Sequence, residues 1–328
     1  MKRSIYIIGF AFFVTFISSI SWAQDPHLTQ YDASPMIVNP ANTGMLPPSS
    51  FRAATQYRNQ WGMLGTRFTT TSIGFDAPVD RQIGAGVYIT DDNAAKTYNT
   101  FSLVLSGAYE ITSPTNRDYK LSVGLQAGFI YKKTNEAKLT FDNQYTSGVF
   151  NPDYPSGEAF PKLSKMMPEF NVGFSYVDTK NNKTFNPYGG FAVFHASHPK
   201  ESFYGEANEE SRLPLRWLIH GGTKINLNKE FKLNPNLLAM KQGTSYEIIG
   251  AIDGSYNISS SFDLAAGFGY RWKDAIFALL GFNYDNYIFR ISYDFTVSDL
   301  RKYTRGFGGL EFSLIYMASS SRGRLSRY

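Results

Sequence analysis

Hydrophobic and polar residues alternate with a two-residue period over much of this chain. The stretch 287–295 is a clear example, because every second residue from Tyr287 to Phe295 is aromatic or aliphatic, while Arg290, Ser292 and Asp294 fall between them. Successive side chains point to opposite faces of a β-strand. The stretch therefore predicts a strand with one apolar face and one largely polar face.

The same alternation recurs in fourteen runs, which is an even number. Several runs contain ten to sixteen residues, whereas roughly five or six are usual in soluble sheets, so these runs could cross a bilayer at a tilt. The predicted strands are 51–60, 66–77, 82–91, 98–112, 117–132, 168–178, 184–194, 213–227, 231–240, 244–257, 260–272, 274–284, 286–296 and 306–317. Hydrocarbon offers no hydrogen-bond partners, so a sheet can cross it only when it closes on itself.

The connections between these strands sort by length to the two ends of the predicted sheet. One end has only short turns, at 78–81, 113–116, 179–183, 228–230, 259 and 285. The other end has the long connections, among them 133–167 and 196–212. Short periplasmic turns and long external loops are typical of bacterial outer-membrane barrels. We therefore predict an all-β chain that forms a transmembrane antiparallel up-and-down β-barrel of about 14 strands, with a soluble β-sandwich as the alternative.

The amino-terminal residues have the features of a secretory signal peptide. Lys2 and Arg3 precede an apolar run, and Ser21-Trp22-Ala23 supplies the small residues of a cleavage site, as export signals require. We predict a signal peptide over 1–23, an N-terminal periplasmic or plug segment over 24–50, an outer-membrane β-barrel over 51–317 and a basic C-terminal tail over 318–328. The protein is therefore expected to be a multi-pass outer-membrane protein.

Composition narrows the classes of function. The chain has no cysteine, which excludes disulfides, thiolate catalysis and cysteine-based metal sites. Its formal charge falls from +5 to +3 on signal removal, because 30 basic and 27 acidic residues remain. So mild an excess of positive charge argues against a nucleic-acid partner. Aromatic residues make up 16% of the chain, which suits strands better than helices.

No arrangement of residues predicts a catalytic or metal site. His195 and His198, with Glu201 nearby, could bind a metal ion, and His220 could act as a base in an outer-membrane acyl hydrolase, but a structural role is the favoured interpretation of each. The run 91–93 could hold calcium, yet it lacks the glycine and the later glutamate of an EF-hand loop, so a polar turn is expected there. We expect no enzyme activity, no metal and no cofactor.

Charged residues also fall at predicted inward positions, six basic and six acidic. They are Arg58, Lys120, Arg216, Lys224, Arg271, Arg290, Glu110, Glu247, Asp253, Asp263, Asp294 and Glu311. Buried charges persist when they are paired, so this set favours cross-strand salt bridges and a filled lumen. The segment 24–50 and the loop 133–167 are the candidates for filling it. A sieving porin with an open channel is the competing interpretation.

Several short motifs occur in a fixed order along the mature chain. They are Gln24-Asp25-Pro26-His27-Leu28-Thr29-Gln30-Tyr31, Asn39-Pro40-Ala41-Asn42-Thr43-Gly44, Arg58-Asn59-Gln60-Trp61, Gly84-Ala85-Gly86-Val87, Pro168-Glu169-Phe170-Asn171-Val172-Gly173, Asn234-Pro235-Asn236-Leu237-Leu238, Gly269-Tyr270-Arg271 and Ser292-Tyr293-Asp294. No single motif is specific. Their order and spacing together resemble the PorP/SprF family of Bacteroidota over nearly the whole mature chain.

The resemblance implies an outer-membrane barrel of the type IX secretion and gliding machinery that supports export or surface attachment of secreted proteins such as adhesins. The implied partners are a secreted adhesin or other type IX cargo, periplasmic secretion-machinery proteins and outer-membrane lipid. A passive porin-like or hydrophobic-ligand channel is the alternative. The residues expected to form a plug or partner-docking motif are Gln30, Tyr31, Asn39, Pro40, Gly44, Arg58, Gln60 and Trp61.

Overall fold

The structure is a computed structural model that describes residues 25–47, 50–62, 67–116, 118–136, 139–146, 148–157, 162–180, 183–203 and 212–319. The predicted signal peptide at 1–23 lies outside the described residues, as do Arg322, Arg324 and Arg327 of the predicted tail.

Fourteen long strands form one closed antiparallel barrel, which confirms the predicted fold class. In chain order the strands are β1 (Ser50–Gln60), β2 (Phe68–Pro78), β3 (Ile83–Ala94), β4 (Tyr98–Glu110), β5 (Tyr119–Thr134), a short external hairpin of β6 (Tyr145–Thr146) and β7 (Val149–Phe150), then β8 (Ser164–Asp178), β9 (Phe185–Phe194), β10 (Arg216–Asn226), β11 (Phe231–Gln242), β12 (Ser245–Asn257), β13 (Phe262–Arg271), β14 (Ala275–Tyr284), β15 (Tyr287–Thr296) and β16 (Phe307–Ser319).

Each barrel strand pairs with the barrel strand that follows it, and β1 pairs with β16 to close the sheet. Closure places Arg58 of β1 directly opposite Glu311 of β16. One irregularity interrupts the pairing of β15 with β16, between Tyr293 and Phe295. Closure leaves none of the barrel strands with an unpaired edge. A sheet can lie in hydrocarbon only when its backbone groups are all paired in this way.

Burial alternates along the strands as the two-residue period predicts. In β5, Leu125 is 68% exposed on the outer surface, whereas its neighbour Gln126 is 3% exposed and faces the lumen. Ile130 breaks the polar pattern of the inner face and is 4% exposed there. Apolar side chains thus face lipid, and polar side chains face the interior.

Several strands run further than the alternation alone predicts. β3 continues through Asp91 and Asp92 to Ala94, so the expected polar turn at 91–93 is wrong and these residues are paired with β2 and β4 instead. β5 ends at Thr134 and β8 begins at Ser164, which shortens the predicted 133–167 loop. Backbone pairing carries these strands beyond the point where the hydrophobic alternation stops, because hydrogen bonds do not depend on side-chain polarity.

Within the ranges that the structure describes, the helical elements are short turns. Three of them, Tyr31–Ala33, Pro35–Val38 and Pro40–Asn42, follow one another before β1, and two others lie at Asp142–Gln144 and Arg301–Thr304. No helix among the described residues is long and apolar enough to cross a membrane.

Candidate functional site

The amino-terminal residues 25–47, called the lumen segment below, lie inside the barrel. Asp25 contacts the end of the barrel where β9 ends and β10 begins, through His195 and Arg216. Gly44 contacts the opposite end, where its backbone N–H donates to the Asp76 carboxylate at 2.7 Å. Since the long loops place the first of these ends outside the cell, the lumen segment runs from the external end to the periplasmic end before it enters β1.

The sequence of the lumen segment explains its compact turns. Pro35 and Pro40 each occupy the first position of a helical turn, where a missing N–H costs nothing. The Asn39 side chain caps the second of these turns by accepting the Ala41 N–H at 2.9 Å, and the Thr43 hydroxyl donates to the Pro40 carbonyl at 2.7 Å. These local bonds satisfy the backbone where no strand partner is available.

Glycines in the barrel wall make room for the turn at residues 39–41. A Cβ added to Gly124 or Gly173 would collide with Pro40 or Asn39. The Asn39 amide, which is fully buried, donates to the Phe174 carbonyl at 2.9 Å and lies 3.1 Å from the His220 imidazole. The backbone of the lumen segment therefore rests directly on the backbone of the wall.

A second close approach holds the periplasmic end of the lumen segment. Gly44 has a positive φ of 62°, which glycine adopts without strain, and a Cβ there would collide with Ala77 and Gly84. Asp76, which accepts the Gly44 N–H, is held by Arg52 through two hydrogen bonds of 2.9 and 2.7 Å. This bidentate pair was not singled out from the sequence, although both residues fall at inward positions of adjacent strands.

A cluster of buried charges surrounds Thr29 and Gln30 of the lumen segment, towards the external end. Arg58 pairs with Asp294 at 2.8 Å and with Glu311 at 3.2 Å, and Arg271 pairs with Asp294 at 3.1 Å. All four side chains are almost inaccessible to water. Thr29 lies among them, and its hydroxyl contacts Asp294, Arg58 and Arg271. Two cations thus face two anions, and the pairing that the mixed charges predict is present here.

Gln30, the next residue, uses every hydrogen-bonding group that it has. Its N–H donates to Glu311 at 2.9 Å, and its carbonyl accepts from the Gln56 amide at 2.8 Å. Its side-chain oxygen accepts from the Ser313 hydroxyl at 2.6 Å, while its side-chain nitrogen donates to the Ser292 hydroxyl at 3.0 Å and to the Glu311 carbonyl at 3.1 Å. A buried amide is stable only when its polar atoms are satisfied in this way.

Asp25 forms a separate charge cluster at the external mouth of the lumen. The His195 imidazole lies 2.5 Å from the Asp25 carboxylate and 2.8 Å from that of Glu169, and Arg216 lies 3.1 Å from Asp25. Burial alone would lower the pKa of His195, but the two carboxylates outweigh it and raise the pKa to about 9. Burial would raise the pKa of Asp25, but His195, Arg216 and Lys132 hold it well below its usual range. At neutral pH the His195 imidazole is therefore protonated and the Asp25 carboxylate is ionised.

His27 lies between these two clusters. Its Nδ1 lies 3.0 Å from the Glu247 carboxylate. Burial, together with the guanidinium groups of Arg271 and Arg58, holds the pKa of His27 well below its ordinary value. The imidazole is therefore neutral at neutral pH and does not pair with Glu247 as a cation.

The periplasmic half of the lumen is more open on the side of β9 to β13. Tyr31 donates to the Asn236 side chain at 2.5 Å, and Arg290 pairs with Asp32 at 2.5 Å. The lumen-facing Tyr188, Lys224 and Asp253 are only half-buried. Burial and the Asp32 carboxylate together raise the pKa of Tyr31 above its ordinary value, so its hydroxyl remains a donor. This half of the interior forms a polar vestibule beside the lumen segment.

The residues expected to form a plug or docking motif divide into two groups. Gln30, Tyr31, Asn39, Pro40, Gly44 and Arg58 all take part in contacts between the lumen segment and the wall. Gln60 and Trp61 lie at the external end of β1, where the Trp61 ring packs against Phe68 at 5.1 Å and the Trp61 N–H donates to the Gly308 carbonyl. Their contacts are with the barrel wall.

The predicted lumenal charges all lie on inner faces of their strands, with different partners. Arg216 reaches Asp25, and Arg290 reaches Asp32. Lys224 lies over the Tyr188 ring at 5.7 Å. Asp263 accepts from the Asn257 and Asn283 amides at 2.6 and 3.2 Å near the periplasmic end. Each of these charges therefore has a charged, polar or aromatic partner at its own depth of the barrel.

Alternation along the strands did not identify Asp25, Thr29, Gln56 and Glu169 as site residues. Gln56 and Glu169 occupy inward positions, so the two-residue period could have included them. Asp25 and Thr29 lie in a segment without any period, and only the barrel brings them to their partners. Glu201, expected near His195, pairs instead with Lys132, and no group of three or more candidate ligands for a metal ion occurs in the described ranges.

Comparison with solved structures gives outer-membrane barrels. The CymD monoaromatic hydrocarbon channel aligns with a TM-score of 0.50 at 11% identity, covering 88% of this chain and 92% of its own. The toluene transporter TbuX of Ralstonia pickettii gives a TM-score of 0.48 at 9% identity, covering 87% and 93%, and TodX of Pseudomonas putida gives 0.48 at 9%, covering 86% and 91%. At such low identity the similarity to CymD indicates a shared fold alone. A comparison with curated proteins gave no significant match.

Comparison with protein families matches the chain to the type IX secretion system membrane protein family PorP/SprF over residues 20–316. The match spans the lumen segment and all fourteen barrel strands up to Tyr316. It agrees with the resemblance seen in the short motifs. The chain therefore belongs to the PorP/SprF family of type IX secretion system membrane proteins, and its barrel lies in the outer membrane.

Proposed function

We propose that this protein supports the export or the surface attachment of secreted proteins, such as adhesins, as a closed barrel of the type IX secretion system. Its external loops and lumen would engage the secreted partner, and its periplasmic face would meet the secretion machinery. One observation carries the proposal beyond family membership: the lumen segment crosses the interior and is held there by hydrogen bonds to buried residues of the wall. A passive sieving porin needs an open lumen, and here the segment occupies it.

Deletion of the gene tests this proposal. We expect lower levels of surface adhesin, of secreted type IX proteins, or of both, because their export or retention would lack its outer-membrane component. Complementation with the wild-type gene controls for effects on neighbouring genes. Unchanged levels of both protein classes would contradict the proposal.

The proposal assigns no catalytic activity to the chain. His220, the residue that could act as a base, lies 3.1 Å from the Asn39 amide, where it supports the turn of the lumen segment. An acyl hydrolase would lose its esterase activity in His220→Ala. We expect no esterase activity above background in the wild type, and therefore no difference between the two proteins.

A hydrophobic-ligand channel is the second candidate, and a hollow in the outer wall favours it. The hollow has a volume of about 460 Å³ and is lined by apolar residues of β4, β5 and β8, among them Leu105, Leu125 and Phe170. Behind it, Gln126 donates to the Met36 carbonyl at 2.9 Å and accepts from Asn171 at 2.9 Å, so the lumen side is filled. Passage of a labelled aromatic hydrocarbon into liposomes carrying the wild-type protein, above the rate of protein-free liposomes, would support this candidate.

A further inference from the structure

Seven buried side chains of the barrel wall hold Thr29 and Gln30, and together they are called the Thr-Gln seat. The seat consists of Gln56, Arg58, Arg271, Ser292, Asp294, Glu311 and Ser313. Its residues come from β1, β13, β15 and β16, all of them parts of the closed barrel. The seat therefore belongs to the wall and does not depend on the lumen segment for its construction.

Part of the seat recognises the main chain of its occupant. The two oxygens of the Glu311 carboxylate accept the consecutive N–H groups of Thr29 and Gln30, at 2.7 and 2.9 Å. The Gln56 amide donates to the Gln30 carbonyl at 2.8 Å. Any polypeptide other than one with proline at these positions could supply the same groups. This part of the seat therefore selects a polypeptide without selecting its sequence.

The rest of the seat recognises two particular side chains. The Gln30 amide meets one donor, Ser313, and two acceptors, the Ser292 hydroxyl and the Glu311 carbonyl. A glutamate here could not donate to both acceptors, and an asparagine is one carbon too short. The Thr29 hydroxyl donates to Asp294 at 3.0 Å and accepts from Arg271 at 2.7 Å, which a serine could also do. This part of the seat therefore selects a threonine or a serine that is followed by glutamine.

The charges of the seat also permit a change of occupant. Arg58 and Arg271 pair with Asp294 and Glu311 directly, so departure of the uncharged Thr29 and Gln30 leaves every charge with a partner. An uncompensated buried charge would be strongly destabilising, and this arrangement leaves none. On the carboxyl side the adjoining contact is the half-exposed pair of Asp32 with Arg290.

From this geometry we propose that the Thr-Gln seat is a polypeptide-binding site for a segment in which threonine or serine precedes glutamine, and that Thr29 and Gln30 are its intramolecular occupant. A partner polypeptide with the same dipeptide takes the place of Thr29 and Gln30 in the seat. This releases the part of the lumen segment that lies near the external end. The inference rests on the proposed function only for the identification of that partner as a secreted polypeptide. The site itself follows from the contacts of the seat.

The test uses the purified full-length protein in lipid nanodiscs and a fluorescent synthetic peptide with the sequence of residues 25–34. Gln30→Glu should empty the seat, because its carboxylate oxygen would face the Glu311 carbonyl oxygen, to which the Gln30 amide donates. We expect saturable binding of the peptide to this variant, measured by fluorescence anisotropy, and at least about tenfold weaker binding to the wild type, whose own segment competes at high effective concentration.

Two controls make the result specific to the dipeptide. A peptide carrying glutamate in place of its glutamine should bind the Gln30→Glu variant about tenfold or more weakly, since it loses hydrogen bonds and adds a negative charge. Gln30→Ala, which introduces no charge, is the second emptied variant, and circular dichroism checks that both retain their strands. Equal binding of the two peptides, or no binding by either folded variant, would overturn the site. Neither result depends on secretion in cells, so failure here is distinguishable from failure of the proposed function.

Discussion

Two arginines of the lumen differ in how much water reaches them. The Arg58 side chain is 1% exposed and faces Asp294 and Glu311, which are similarly buried, whereas the Arg290 side chain is 19% exposed and its partner Asp32 is 44% exposed. Removing one partner of a buried ion pair leaves an uncompensated charge, but an exposed pair contributes little. Burial therefore decides which of the two charges stabilises the barrel.

Arg58→Leu should accordingly lower the free energy of unfolding by about 3–5 kcal/mol, and Arg290→Leu by less than about 1 kcal/mol. Urea unfolding of both variants in lipid vesicles measures the difference. The sequence places Arg290 among the lumenal charges to be paired, so that Arg290→Leu is expected to impair the assembly or the stability of the barrel, and the exposure of the Asp32 pair is the reason for the smaller value. Equal losses of unfolding free energy in the two variants would show that burial does not decide how much each arginine stabilises the barrel.

The cluster around His195 should loosen at alkaline pH. The charged groups that face it are Asp25, Glu169, Arg216, Lys132 and Glu201. A folded-state pKa of about 9, above the ordinary 6.5, means that His195 stabilises the cluster fully below pH 6.5 and loses this effect as the pH rises through about 9. His27, whose pKa is lowered, does not titrate in that range.

Hydrogen exchange of residues 25–31, corrected for the intrinsic effect of pH, measures this loosening. We expect protection to fall between pH 6.5 and pH 9.5 in the wild type. His195→Gln should show the lower protection at both pH values, because it has no charge to lose. A pH-dependent loss of the same size in the variant would assign the effect to another group.

At the scale of elements, the fit of the turn at residues 39–41 depends on wall glycines. A Cβ at Gly124 would meet the Pro40 and Ala41 backbone, whereas a Cβ at Gly250 would meet nothing within 4 Å. Overpacking a close contact typically costs about 1–3 kcal/mol. We expect this loss of unfolding free energy for Gly124→Ala and none for the matched control Gly250→Ala. Thermal unfolding in the same detergent compares them, and equal midpoints would contradict the close contact.

The strands were predictable because their apolar residues recur every second position. All fourteen predicted runs correspond to barrel strands, and their ends differ by at most four residues, as at β8, which begins at Ser164 instead of 168. The observed strands are longer than predicted at some ends, as at β8, and shorter at others, as at β10, which begins at Arg216 instead of 213. The turns of the lumen segment were not predictable from period, because their proline-rich sequence has none and their conformation depends on the wall.

At the scale of the whole molecule, closure of the barrel creates the site. Arg58 and Glu311 are separated by 253 positions along the chain and become neighbours only because β1 pairs with β16. Mixed inward charges indicated pairing within the lumen, but the partners depend on the stagger of a closed sheet. Thr29 and Gln30 reach these residues only because the lumen segment starts at the external end. The path of the lumen segment therefore determines which of its residues meet the charged groups of the barrel wall.

The lumen segment is expected to block the passage of ions through the barrel, and planar-bilayer recording tests this most directly. Purified full-length wild-type protein, inserted at single-molecule density, should show no steady open-channel current, because the lumen segment runs through the interior from the external end to the periplasmic end. Arg58→Leu, which weakens the hold on Thr29, should show transient openings in the same apparatus. A steady, ohmic conductance of the wild-type protein would contradict the claim.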